Sequence, residues 1–196
     1  EIKDPHGAKS FLESESAEPG DIIAYIGVAG GFSLMRSHID RDLNQISFLT
    51  GTISRPDLPS GKRLVQNMLK ENPWIGKKIF GGSRAIPLRR PYSTLVGPGM
   101  ALVGDSACQV YASHGSGVGV GLVAANILAE CVIASYNKSK DIGAVENLWP
   151  YAHHFHQKWG FLLHSSDLFR RFSDSLTQDD LFRIMHSGLL TEGLFH

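Results

Sequence analysis

The chain has 196 residues, 19 basic and 19 acidic, and a formal net charge of zero. That balance leaves no electrostatic footprint for nucleic acid, and a 42% hydrophobic content excludes bulk disorder. The two cysteines, Cys108 and Cys131, make no disulfide framework and point to a reducing compartment. The length suits one domain, or one and a fraction. No uninterrupted apolar run of about twenty residues is read, so no membrane span is expected. The opening EIKDPHGAKS lacks the apolar centre of a signal peptide and has no Met, so the chain is expected to begin mid-protein.

Residues 1–20 are polar, with Glu13, Ser14, Glu15 and Ser16 in a row and a Pro19–Gly20 turn, and a loose lead-in is expected there. Residues 21–28 (DIIAYIGV) are apolar and β-branched and read as a strand. Residues 32–38 and 45–53 read as two more, separated by a polar turn containing Asp40, Arg41, Asp42 and Asn44. Short turns between three strands predict an antiparallel meander. Arg36 and His38 alternate onto one strand face, where they either meet an anionic substrate or are simply solvated.

A Pro-rich connection follows. Ser60 is placed to cap a helix reaching Glu71, with Leu64, Val65, Met68 and Leu69 on one face, and Asn72–Pro73 ends it. Residues 79–88 read as a further strand, bulged at Gly81–Gly82 and flanked by Arg84, Arg89 and Arg90. Arg84 is either a ligand-facing or a salt-bridged structural arginine. Residues 92–99 form a loop.

Residues 100–103 then read as a short buried strand that delivers Gly104–Asp105 at its carboxyl end. Residues 106–114 form a loop, and Gly115, Gly117, Gly119 and Gly121 open a helix predicted over 117–136. That helix is apolar nearly all round and is expected to be buried. Its start offers unpaired N–H groups and a partial positive charge, glycines allow close approach, and Asp105 adds an acceptor for hydroxyls. The pattern predicts a site for an anionic or polar ligand; the alternative is a strand–loop–helix unit whose glycines only permit packing.

A helix is predicted from about residue 142 to 159, with Pro150 bending it or lying in its first turn. His153, His154 and His156 lie there without metal-ligand spacing, so no metal site is expected. Residues 161–172 form a third helical stretch. Thr177 and Asp180 make an approximate capping box for a last short helix to His186, stopped by Gly188.

Gly104–Asp105–Ser106–Ala107, Gly115-x-Gly117–Val118 and Ala124–Ala125 resemble the second flavin-binding motif of FAD-dependent oxidoreductases. The geranylgeranyl reductase family, related to aromatic hydroxylases and flavin-dependent halogenases, is the nearest likeness. The resemblance implies FAD as cofactor, with Asp105 on its ribityl chain. Gly104, Gly115, Ser116, Gly117 and Val118 would lie about the pyrimidine side of the ring. It also implies that the meander is a substrate-binding sheet, with Phe32, Leu34, Arg36 and Arg84 as candidate substrate contacts. Two features depart from the family pattern: Ala112 stands where a proline precedes the glycines, and Leu34 and Ser37 replace a Trp and a Pro after the aromatic Phe32.

The N-terminal G-x-G-x-x-G fingerprint of such enzymes, which holds the ADP part, does not occur in the sequence. The expected architecture is therefore α+β or α/β: lead-in 1–20, substrate-domain sheet and helix 21–90, flavin-binding strand–loop–helix 91–136, and helical tail 137–196. The expected function is part of an FAD-dependent oxidoreductase acting on an apolar small molecule, such as a prenyl-chain reductase. The missing ADP-binding half would be supplied in cis or in trans. A flavin monooxygenase or halogenase, and a degenerate non-enzymatic scaffold half, are the alternatives. A cytoplasmic location is expected, with contact to a membrane surface as a further option.

Overall fold

The computed structural model describes residues 1–29, 33–53, 56–138 and 140–188. The fold is mixed, with α-helices and two small antiparallel sheets. It divides into two units, Glu1–Arg84 with Ser173–His196, and Ala85–Phe172.

In the first unit the meander forms as the alternation predicts. Strands β1 (Ile22–Ile26), β2 (Leu34–Ile39) and β3 (Ile46–Gly51) pair antiparallel in that order. Ala24 lies opposite Arg36, and Arg36 opposite Leu49. The β2–β3 turn closes on Asp40, whose Oδ1 accepts from the Asn44 and Gln45 amides at 2.7 and 3.0 Å. One sheet face supplies Ile23, Ile39 and Ile46 to a core with Ile2, Ala8, Leu12, Leu43 and Trp74.

Part of that core comes from residues expected to be loose. Helix α1 (Pro5–Ser14) occupies most of the lead-in. Asp4 caps it by accepting from the His6 amide at 3.0 Å, and Pro5 stands in its first turn. Ala8 and Leu12 then fall on one face, and the Phe11 ring lies 5.5 Å from that of Trp74. The polar run at 13–16 only marks the end of this helix. Helix α2 (Gly61–Glu71) starts at Ser60, whose Oγ accepts from the Arg63 amide at 3.3 Å. The strand expected at 79–88 does not form: the segment pairs with no strand among the described residues, and Ile79 and Phe80 are exposed.

In the second unit, β4 (Val96–Gly97) and β5 (Met100–Ala101) form a tight hairpin. Gly99 at its turn has φ +69°, a left-handed value that favours glycine. The buried strand expected over 100–103 is thus only two residues long, and Met100 is exposed. Among the described residues β4 is its only neighbouring strand, and Met100 is 55% exposed. A 3-10 turn (Gly104–Ala107) leads into the loop before α3 (Val118–Asn137).

Helix α4 (Val145–Phe155) packs against α3 and carries Pro150 in its interior. The two helical stretches read as separate, about 142–159 and 161–172, are continuous: a π-helical turn (His156–Gly160) carries α4 directly into α5 (Phe161–Ser173). Leu95, Ala107, Val120, Ala124, Leu148, Tyr151, Phe155 and Leu163 form the buried core. Helix α6 (Gln178–His186) has the capping box read from its sequence: Thr177 Oγ1 accepts from the Asp180 amide at 3.2 Å, and the Asp180 carboxylate accepts from the Thr177 amide at 2.9 Å.

The expectation that α3 is buried is corrected. Val118 is 82% exposed and Leu122 68% exposed, and Ala125, Ala129, Ile133 and Tyr136 continue the same open stripe at helical spacing. Only Val120, Ala124 and Ser135 are fully buried. By length and composition α3 is apolar enough to cross a membrane, contrary to the expectation that no segment is. Its small residues and its packed inner face suit a core helix equally.

Replacing a mid-helix glycine by alanine ordinarily stabilises by about 1 kcal/mol. Gly7→Ala is expected to reverse that sign, because the added methyl would lie 2.5 Å from Trp74 Cβ. Thermal unfolding of the variant should show a lowered midpoint.

Candidate functional site

The hairpin of the second unit ends by delivering Gly104 in a left-handed conformation, φ +66°. A single side chain then fixes the turn. Gln109, fully buried, accepts from the Gly104 amide through Oε1 at 2.7 Å, and its own amide donates to the Gly104 carbonyl at 3.0 Å. Its Nε2 donates to the Tyr151 hydroxyl at 2.8 Å, and that hydroxyl donates to the Leu102 carbonyl at 2.6 Å. The turn is thereby clamped from within and tied to both α4 and the hairpin. Ser106 adds a local brace, donating to the Val103 carbonyl at 2.8 Å.

This clamp leaves Asp105 at the tip, exposed. A Cβ built on Gly117 would stand 3.4 Å from Asp105 Oδ1, so the carboxylate lies beside the start of α3. Gly117 is the N-cap residue and supplies no side-chain cap. The first bond of the helix runs from the Gly121 amide to the Gly117 carbonyl at 2.8 Å. The amides of Val118, Gly119 and Val120 therefore have no acceptor within the helix. A Cβ on Gly119 would meet nothing within 4 Å, so there is room beside the helix start, whereas Gly104 has both its backbone polar groups bonded to Gln109 and its Cα against Gly121.

The loop between the turn and the helix is equally determined. The Tyr111 amide donates to the Ser116 carbonyl at 2.9 Å and the Gly115 amide to the Tyr111 carbonyl at 2.7 Å. Ser113 is pinned to α5: its amide donates to Ser166 Oγ at 3.0 Å. Gly115 has φ +78°, and a Cβ there would run into Ile86 at 2.5 Å. No proline is required at Ala112, which is buried, because these bonds already fix the loop.

Asp105 and Gly117 thus lie side by side in the second unit, with Val118 next in α3 and Gly104 against Gly121 of the same helix, while Gly115 packs toward Ile86 and Leu88 and Ser116 is bonded to Tyr111. A carboxylate beside uncapped N–H groups can take a ligand that offers hydroxyls together with carbonyl or anionic oxygens. The candidate substrate residues lie in the first unit. Leu34 and Arg36 share the face of β2 that looks away from the core, and Ile22, Ala24, Ile26 and Leu49 of the neighbouring strands are exposed on that face. Arg84 is off the sheet and exposed, with its guanidinium donating to the Ser83 carbonyl at 3.2 Å. Phe32 lies outside the described residues. Among the described residues no three His, Cys, Asp or Glu side chains gather as metal ligands.

Gln109 is the residue that the sequence leaves unmarked, and Tyr151, read there only as a core candidate of its helix, is buried as that reading expects but also bonds Gln109. A signal existed: a lone amide in the apolar run ACQVY must find partners if it is buried. Its partner lies 42 residues away, which no local pattern reveals.

Tyr151→Phe keeps the ring and removes the hydroxyl, leaving Gln109 Nε2 and the Leu102 carbonyl unpaired. A loss of about 1–3 kcal/mol is expected in denaturant unfolding. Burial also pushes the Tyr151 phenol above its ordinary value, opposed by the bond from Gln109. Its stabilisation is therefore complete below the unfolded tyrosine pKa, about 10, and is lost as pH rises through the higher folded value. The stability gap between the parent chain and Tyr151→Phe should narrow in strong alkali.

No protein-family model matches the sequence. The chain is 28% identical over 116 residues to digeranylgeranylglycerophospholipid reductase of Sulfolobus acidocaldarius, a match covering 59% of this chain and 25% of that protein. The match spans a quarter of the length of that curated relative. The chain is thus similar over part of its length to a prenyl-lipid reductase, an oxidoreductase by name.

Proposed function

We propose that this chain is the flavin-ring and substrate part of an FAD-dependent reductase that acts on prenyl chains. The observation that carries the proposal is the Asp105 carboxylate held beside the uncapped start of α3. The residues present fit the ribityl and pyrimidine end of a flavin. Asp105 would accept from a ribityl hydroxyl, and the amides at Gly117 and Val118, with the backbone of Gly104, Gly115 and Ser116 around them, would face the polar edge of the ring. Bound there, the flavin supplies the hydride chemistry. The uncapped amides favour negative charge on that edge, with no donor needing to move. Similarity to a prenyl-lipid reductase supports the same reaction class.

The substrate in this reading is an apolar chain. The open face of β1–β3, with Ile22, Ile26, Leu34 and Leu49 around Arg36, is suited to an apolar molecule that bears an anionic end, and Phe32 and Arg84 are further contacts. The ADP end of FAD requires a separate half, in cis or in trans, since the chain contains no G-x-G-x-x-G. The exposed α3 stripe is the surface proposed to receive it: large apolar side chains alternate there with Ala125 and Ala129, which allow close packing. A cytoplasmic enzyme touching a membrane surface fits a lipid-borne substrate.

Titrating riboflavin, FMN and FAD into the chain, followed by flavin fluorescence, tests the reading. Saturable binding is expected, about tenfold or more weaker in Asp105→Ala, as for loss of a charged hydrogen bond. Unchanged affinity in that variant removes the role given to the carboxylate. An absence of binding even when the ADP-binding half is supplied leaves the scaffold reading. Leu122→Glu is expected to abolish association with that half while circular dichroism stays unchanged; retained association would assign the stripe elsewhere.

A further inference from the structure

Helix α5 is built inside out. A helix on the surface of a globular unit ordinarily turns its apolar stripe to the core. Here Phe161 is 85% exposed and Leu168 68% exposed. The two are seven residues apart and share a face, and Leu162, also exposed, adjoins it. The opposite face goes inward and is largely polar, with Leu163 buried beside Ser166 and Asp167. Both of those polar side chains are satisfied. Ser166 Oγ accepts from the Ser113 amide at 3.0 Å, and the Asp167 carboxylate accepts from Arg170 and Arg171 at 3.2 and 3.3 Å. Polar bonds thus fix the inner side of α5, and its large apolar side chains are left outside.

Charge decides what such a face can meet. Between Glu146 and Asp174 the chain has one carboxylate, Asp167, against Lys158, Arg170 and Arg171. Asp167 is buried, while Lys158 is exposed and the Arg171 side chain is 64% exposed. This run therefore shows cations beside Phe and Leu at its surface, and no carboxylate. A second copy seated face to face would set these cations against their own counterparts. The open stripe of α3 differs, because that helix contains no lysine or arginine. An apolar helix face flanked by lysine and arginine matches an anionic bilayer, where apolar side chains enter the acyl boundary and cations meet the headgroups.

We propose that the outer face of α5 docks the protein on an anionic membrane surface. Phe161, Leu162 and Leu168 enter the acyl boundary, and Lys158 and Arg171 meet the headgroups. The inference rests on the membrane contact in the proposed function and assigns that contact to one helix. The helix lies along the interface and does not cross it, since its inner face carries Asp167 bonded to two arginines.

Co-sedimentation of the whole chain with vesicles of phosphatidylglycerol and phosphatidylcholine in equal amounts, against vesicles of phosphatidylcholine alone, provides the test. Binding to the anionic vesicles is expected, stronger than to the neutral ones and falling as salt is raised. The Phe161→Ser/Leu168→Ser double variant should lose about tenfold or more in affinity. Both positions face solvent, so that variant should fold, and circular dichroism checks this. Lys158→Gln should weaken binding to anionic vesicles only. Leu122→Glu on α3 and Asp105→Ala should bind vesicles as the parent chain does. Absence of vesicle binding, full binding in the double variant, equal binding to neutral and anionic vesicles, or a loss confined to Leu122→Glu each overturns the proposal. A solution dimer that the double variant abolishes, without vesicle binding, gives the face to a second copy instead. Riboflavin affinity should be the same in the double variant and the parent. Failed docking with flavin binding intact therefore leaves the flavin reading standing, and docking without flavin binding removes that reading alone.

Discussion

The buried side chain of Gln109 is the constraint on which the second unit depends. An amide that is fully enclosed must find partners for both its oxygen and its nitrogen, or it costs more than it contributes. Here the oxygen takes the Gly104 amide and the nitrogen takes the Tyr151 hydroxyl. The hydroxyl passes the chain of bonds to the Leu102 carbonyl. A hairpin, a turn and a helix are thereby locked to one another by a single polar thread through an otherwise apolar core. In a low-dielectric interior such bonds reinforce one another, so the geometry is rigid where it matters for a ligand.

What that rigidity presents is a carboxylate and a set of free amides that cannot satisfy each other's full capacity. Asp105 lies beside the start of α3, yet the N-cap position holds a glycine that contributes no oxygen. Most helices close their first turn with a serine, threonine or aspartate, and this one leaves it open. The same helix is apolar on the face that packs on α4 and apolar on the face that does not. The helix thus has two apolar faces and one small polar edge, where Asn126 donates to Glu130 at 2.8 Å.

The mouth of α3 has backbone donors beside an acidic side chain, and the segment that brings them together, residues 106–116, is one that sequence patterning treats as a connection. Loops carry such groups because a rigid scaffold of short hairpin and long helices holds them in place.

Local sequence was enough to fix what depends on neighbouring residues. The meander, the Ser60 and Thr177 caps, and the helix opening at Gly117 all follow from period-two alternation, capping chemistry or glycine placement. Alternation also placed Arg36 and His38 on one side of β2. Patterning failed where a partner had to be known. Residues 5–14 look polar in one dimension, and only the core they share with Trp74 and the sheet makes Ala8 and Leu12 a buried face. Residues 79–88 look like a strand, and no other strand reaches them. The apolar composition of α3 implied burial, whereas exposure depends on what else is present to cover it. The glycines and Asp105 were legible as a candidate ligand site, but their support by Gln109 and Tyr151 was not, because hydrogen-bond partners far apart in sequence are selected by chain folding alone.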